Sequence, residues 1–181
     1  MHPERREFRL TLTNVERKVS FARSLVLSRH PSEHPEHLAL RVLAYCLLFE
    51  EGLSFGPGVC VGEAPDLLTH DLTGKVITWI ACGDISPRAA RKIVQHNRDA
   101  AAHVVFGSPH RHDAFQAEVA SWGTQRPRGW DRLALWTIDE ALVRGLAARE
   151  DLRQAWTVTV VGDHIYAEVD GVQHQGPVVR G

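Results

Sequence analysis

The sequence predicts an α/β fold, with a mixed central β-sheet flanked by helices. Two observations carry this. Through the middle of the chain, short apolar runs of strand character alternate with stretches of helical spacing. At both ends, runs of alternating residues meet at turn signals and read as hairpins. Residues 1–181 read as one domain, long enough to bury a single core.

In FRLTLTNVE, Phe8, Leu10 and Leu12 alternate with Arg9, Thr11 and Thr13, the period-two pattern of a half-buried strand. SFARSLVLSRH continues with Phe21, Leu25, Val26 and Leu27, and Glu16-Arg17-Lys18 supplies the turn between the two. A long helix follows. Ser32 is placed to cap it, Pro35 fits its first turn, and Glu33 and Glu36 complement the positive end of its dipole. Leu38, Val42, Tyr45, Cys46 and Phe49 recur at helical spacing until Gly52 ends the element.

Residues 56–74, rich in glycine, proline and aspartate, read as a long connection, and KVITWIACG as a strand. Ser86-Pro87 opens a second helix, by cap and first-turn proline, that runs to about Ala102. HVVFG is a short strand, residues 111–122 a helix, TQRPRGWD a loop and LALWTI a strand. Asp139 then caps a helix through about Glu150, and WTVTVVGDHIYAEVD forms a hairpin turning at Gly162-Asp163. The Gly/Pro/Gln-rich stretch from about 173 to 181 reads as a loose tail. Trp79, Trp136 and Trp156 fall in strands and are expected in the core, while Trp122 and Trp130 flank the 123–129 loop.

The chain is 44% hydrophobic and 24% charged, with a formal net charge of −1. That excludes a surface coated in basic residues, so contact with nucleic acid must come from a local patch. Cys46, Cys60 and Cys82 lack CxxC spacing and read as reduced thiols, which with the absence of a secretory apolar run points to the cytoplasm. No apolar stretch has the length of a membrane span, so no membrane partner is expected. His30, His34 and His37 fall at helix-like intervals, but a zinc site needs three or four ligands with outer support, and no metal is assigned to them. No nucleophile triad, phosphate-cradling glycine loop or dinucleotide fingerprint is present.

Several blocks together resemble the YaeQ family of bacterial proteins over nearly the whole chain. These are RHPSE-x-x-E at Arg29–Glu36 leading into LALRVLAY, then APDLLTHDLTGKVITWI, then LALWTIDE near 133–140 and the closing hairpin. The resemblance implies a variant of the restriction-endonuclease-like PD-(D/E)XK fold. A nuclease of that fold holds Mg²⁺ with carboxylates, which hard cations demand, and the metal activates water against a phosphodiester.

In the family pattern the strand reads approximately acid-x-W-I-acid-x-G. Here Trp79, Ile80 and Gly83 keep the frame, but the two acid positions are Ile77 and Ala81. The resemblance therefore implies a degenerate site on an intact fold. Glu33, Glu36, Asp66 and Asp71 match other acids of the family blocks, Asp84 is a further acid past the strand, and Lys92 is the candidate cation of a rebuilt site. The second helix carries Arg88, Arg91, Gln95 and Arg98 on one side, with Lys92 nearby, and Ala90, Ile93, Val94, Asn97 and Ala101 on the other. A basic face of this kind suits phosphate contact, and its plain alternative is a solvated surface.

The leading expectation is a non-catalytic module that binds nucleic acid or a protein partner through Arg88, Arg91, Lys92 and Arg98 and the Glu33/Glu36 end of the long helix. The alternative is a Mg²⁺-dependent nuclease rebuilt from Glu33, Glu36, Asp66, Asp71 or Asp84. A scaffold without a nucleic-acid role is the third.

Overall fold

The computed structural model describes residues 3–57 and 64–181. Its strands are β1 (Glu4–Asn14), β2 (Val19–Arg29), β3 (Ser54–Phe55), β4 (Leu67–His70), β5 (Val76–Cys82), β6 (Ala101–Phe106), β7 (Leu133–Ile138), β8 (Arg153–Val161), β9 (His164–Val169) and β10 (Val172–Arg180). Its helices are α1 (Pro35–Leu47), α2 (Pro87–His96), α3 (Pro109–Ser121) and α4 (Glu140–Ala147). The strands form one mixed sheet in the order β2-β1-β8-β9-β10-β7-β6-β5-β4-β3. Within it β5, β6 and β7 run parallel, as do β1 and β8.

Every residue of α1 from Leu38 to Leu47 is buried. A helix apolar nearly all round must be covered on all sides, and α1 packs on β1, β5, β6, β8 and α4. Phe8, Leu10 and Leu12 of β1 and Trp156, Val158 and Val160 of β8 complete this core. A second cluster of Ala90, Val104, Phe106, Phe115, Val119 and Trp130 lies under α2 and α3, on the other face of the parallel strands. The helices thus flank β5–β7 on both faces, as parallel strands require.

The structure revises several expectations. The 56–74 connection contains β4, a strand too short to register as a pattern; Leu67 and Thr69 point inward from it. The cap of α1 is His34, not Ser32, whose hydroxyl instead meets His30 Nδ1 at 2.6 Å. The second helix stops at His96 rather than Ala102. Asn97 ends it by donating its side-chain N–H to the Ile93 carbonyl at 3.1 Å, and Ala101 already belongs to β6. The helix after Asp139 ends at Ala147, short of Glu150.

The largest correction concerns the tail, which is strand β10. Its first half pairs with β9, and Val178–Arg180 pairs with β7, so it joins the two halves of the sheet. Its glycine marks close approach, not looseness: a side chain at Gly176 would collide with Asp139. Trp79 and Trp156 are buried, whereas Trp136 is only half-buried. Trp122 and Trp130 pack edge to face at 5.3 Å and hold the 123–129 loop down. Cys46 and Cys82 are buried free thiols, and Cys60 lies outside the described residues.

Candidate functional site

The carboxyl ends of β5 and β6 open into a cleft of about 1150 Å³. Residues from the first turns of α1, α2, α3 and α4 line it, among them His37, Pro87, Arg111 and Glu140. In open α/β sheets the carboxyl edge of parallel strands is where ligands bind, because loops and helix starts converge there.

Glu33 and His37 line the cleft on the α1 side, and with Asp66 and Arg41 behind them they form a quartet of charged groups. Glu33 sits just before α1, with His37 one turn and Arg41 two turns further on, so all three lie along one stripe of the helix. Asp66 enters from the start of β4 and accepts the Cys82 backbone N–H at 2.7 Å. His37 bridges the acids, with Nδ1 2.7 Å from Glu33 Oε1 and Nε2 3.2 Å from Asp66 Oδ1. Arg41 stands behind it, 3.3 Å from Glu33 Oε1 and 3.5 Å from Asp66 Oδ1. Gly83 closes the corner at φ +80°, a conformation that favours glycine, and carries the chain past the His37 ring.

Burial alone would push the His37 imidazole down. Hydrogen bonds to Asp66 and Glu33, with the charges behind them, outweigh it and raise the pKa to about 9. Burial likewise opposes ionisation of Glu33, but the His37 hydrogen bond and the Arg41 charge hold its carboxyl below the usual range. At neutral pH His37 is therefore an imidazolium and Glu33 a carboxylate. Glu33 Oε2 is buried without a hydrogen-bond partner. Burial, with the Asp66 charge added, drives the Cys82 thiol well up, so it is no thiolate ligand or nucleophile.

Of the acids singled out in the sequence, only Glu33 and Asp66 share partners in this quartet. Glu36 stays on the rim, 3.7 Å from Arg144 Nε. Asp71 lies in the turn joining β4 to β5, at the far end of β4 from Asp66, where its side chain accepts from Thr73 and Lys75. Asp84 pairs with Arg111. Ala81 packs with Trp79 and Ile93 under α2, while Ile80 and Cys82 belong to the α1 core. By strand alternation Ile77 shares the Ala81 face, so these two residues and the Glu33–Asp66 pair are on opposite faces of the sheet.

Arg88, Arg91, Lys92 and Arg98 are exposed on or just beyond α2. Arg88, Arg91 and Arg98 make no ion pair with any described residue. Arg41 is the member that sequence reasoning missed, and His37 was noted only as one of three histidines at helix-like intervals. The available signal was Arg41 itself, an ionisable residue midway along an otherwise apolar helix, at i+8 from Glu33.

A sequence profile described as YaeQ protein matches residues 1–176. Two curated relatives, each called "Uncharacterized protein YaeQ", come from Escherichia coli (strain K12) and Shigella flexneri. Each is 33% identical over 84 residues, 46% of this chain, so the match spans about half the length (46%) of those relatives. The crystal structure of YaeQ from Xanthomonas axonopodis pv. citri superposes with a TM-score of 0.86 at 22% identity, covering 98% of this chain and 97% of that one. That of YaeQ from Pseudomonas syringae gives 0.83 at 22% identity, covering 98% and 95%. At that identity the likeness concerns the fold.

Proposed function

The chain belongs to the YaeQ family, and we propose that it is a non-catalytic nucleic-acid-binding module, built on a restriction-endonuclease-like frame from which the acidic site has been lost. The observation that carries this is the outer face of α2. Arg88 and Arg91 stand exposed there and Arg98 just past the helix end, and none of the three makes an ion pair with a described residue, although Arg98 lies close enough to Asp99 for its charge to be felt there. Exposed guanidiniums of this kind can displace counterions from a phosphate backbone, which needs positive charge and no metal. Beneath the same helix, Ala81 is packed against Ile93 where the family pattern has an acid, so this side of the strand serves packing.

The nuclease alternative draws on Glu33 and Asp66, which approach the same imidazole. Their arrangement does not fit Mg²⁺. Glu33 Oε1 faces His37 and Arg41, Asp66 Oδ1 faces the same two side chains, and Asp66 Oδ2 accepts the Cys82 amide. A cation in their midst would have to displace an imidazolium and a guanidinium. Among the described residues no three His, Cys, Asp or Glu side chains are grouped to hold a metal ion, and no helix is long and apolar enough to cross a membrane.

The deciding experiment is fluorescence anisotropy with a short duplex and a single strand over a salt series. The proposal expects weak binding that falls steeply with salt and is unchanged by EDTA. Titration calorimetry with Mg²⁺ and Mn²⁺, alone and with the duplex, addresses the alternative, since saturable heat near one equivalent would favour a rebuilt nuclease site.

A further inference from the structure

We propose that the cleft binds a phosphate monoester that also carries an amino or hydroxyl donor, with its phosphate held between the starts of α2 and α3 and Arg111. These two helices follow adjacent parallel strands and begin alike, as Ser86-Pro87-Arg88 and Ser108-Pro109-His110-Arg111. Pro87 and Arg111 line the cleft together with Ser86, Ser108 and His110.

The four helix starts around the cleft differ in charge. Those of α1 and α4 carry Glu36 and Glu140 in their first turns, so their positive ends are already matched. Those of α2 and α3 have no acid in the first turn and carry arginine instead. Cations at a helix start are unfavourable unless an anion joins them. Ser108 makes no side-chain capping bond, which leaves the first N–H groups of α3 without that acceptor. An anion of the chain itself already occupies Arg111, because the Asp84 carboxylate pairs with it at the rim. A phosphate carries more charge and more acceptor oxygens than that carboxylate and competes for the same guanidinium.

A second observation comes from the opposite wall. Glu33 lines the same cleft, is 2% exposed, and leaves Oε2 without a partner. An orphaned buried acceptor calls for a donor. Phosphate at one wall and a donor at the other define the ligand class. The cleft, at about 1150 Å³, has room for a small molecule of that kind.

The site does not depend on the nucleic-acid reading, and the phosphate's source, a free ester or a nucleic-acid 5′ end, is separated by the test. Calorimetry with inorganic phosphate, ethyl phosphate and O-phosphoethanolamine is run on the wild type, Arg111→Gln, Asp84→Asn and Ala114→Trp, the last placing bulk on an exposed cleft residue. The site requires saturable phosphate binding that Arg111→Gln weakens by about tenfold and Asp84→Asn strengthens. It also requires O-phosphoethanolamine to bind more tightly than ethyl phosphate, and Ala114→Trp to lose both esters. A 5′-phosphorylated oligonucleotide that outbinds its unphosphorylated twin only while Arg111 is intact identifies a nucleic-acid end as the source, and equal binding of the two identifies the free ester. Opposite effects of the Arg111 and Asp84 variants cannot arise from unfolding. Absence of saturable phosphate binding, or binding indifferent to both, overturns the site, whereas loss of duplex binding on removal of Arg88, Arg91 and Arg98 bears only on the nucleic-acid proposal.

Discussion

His37 Nδ1 lies 2.7 Å from Glu33 Oε1, one turn away on the same helix stripe, and its other nitrogen lies 3.2 Å from Asp66 Oδ1 across the cleft floor. The imidazolium thus ties α1 to the start of β4. Its pKa in the fold, about 9, stands above the ordinary 6.5. A raised pKa contributes stability fully below pH 6.5 and loses it as pH rises through 9. The shift corresponds to about 3 kcal/mol at most, because the same contacts also lower Glu33. Chemical denaturation from pH 6 to 10 is expected to show stability falling across this window, and His37→Gln to be less stable at pH 6 with a flattened alkaline limb.

The acid limb has a different source. Trp136 donates its indole N–H to His103 Nδ1 at 3.1 Å, which requires that nitrogen to be unprotonated. Burial, with the charge of Arg17 added, lowers the His103 pKa to about 4. A lowered pKa gives stability that is present above pH 6.5 and is lost as pH falls toward 4. His103→Gln should reduce the acid sensitivity between those values, measured by the same denaturation series. Together the two histidines place the optimum near pH 6.5; an optimum above pH 9 would contradict the His37 assignment, and one below pH 4 the His103 assignment.

Arg41 is 2% exposed and stands between Glu33 and Asp66. Removing one partner of a buried ion pair leaves the other charge uncompensated, at a cost of about 3–5 kcal/mol. Arg41→Met should therefore destabilise by that order. Adding Glu33→Gln should recover part of the loss, so a double-mutant cycle is expected to show coupling of at least about 1 kcal/mol.

Placing acids at Ile77 and Ala81 tests the proposal that this strand once carried a metal site. Ala81 is 6% exposed against Trp79 and Ile93, so Ala81→Glu buries a carboxylate among apolar groups and should cost about 2–4 kcal/mol. Ile77 is 39% exposed, and Ile77→Asp should cost little. With the Glu33–Asp66 pair on the opposite face, Mg²⁺ should not rescue the double variant in a thermal shift. Rescue would show that the frame still holds a metal site.

Much of this was legible in the sequence. The period-two pattern at Phe8, Leu10 and Leu12 and the apolar spacing from Leu38 depend on local alternation, and both elements formed, although the helix ends at Leu47, before Phe49 and the expected stop at Gly52. Strand β10 was not legible because its Gly176 and Pro177 imitate a loose tail, while the partners that order it, Ile138 and Trp136, are some 40 residues away in sequence. The same holds for the site. Glu33 and Asp66 were visible as acids, but their meeting depends on strand β4 lying beside β5. His37 read as one of three histidines at helix-like intervals, because nothing local signals its second carboxylate.

The most direct measurement for the central claim is the salt dependence of duplex binding by the wild type and by an Arg88→Ala/Arg91→Ala/Arg98→Ala variant. A triple alanine variant at Arg5, Arg9 and Arg153, which carries the same loss of charge on the opposite half of the sheet, serves as control. If α2 contacts phosphates, the α2 variant alone should bind more weakly, and the slope of log K against log salt should become shallower by about 3. Equal slopes for the wild type and the α2 variant, or equal losses in the two variants, would contradict a nucleic-acid role for this helix.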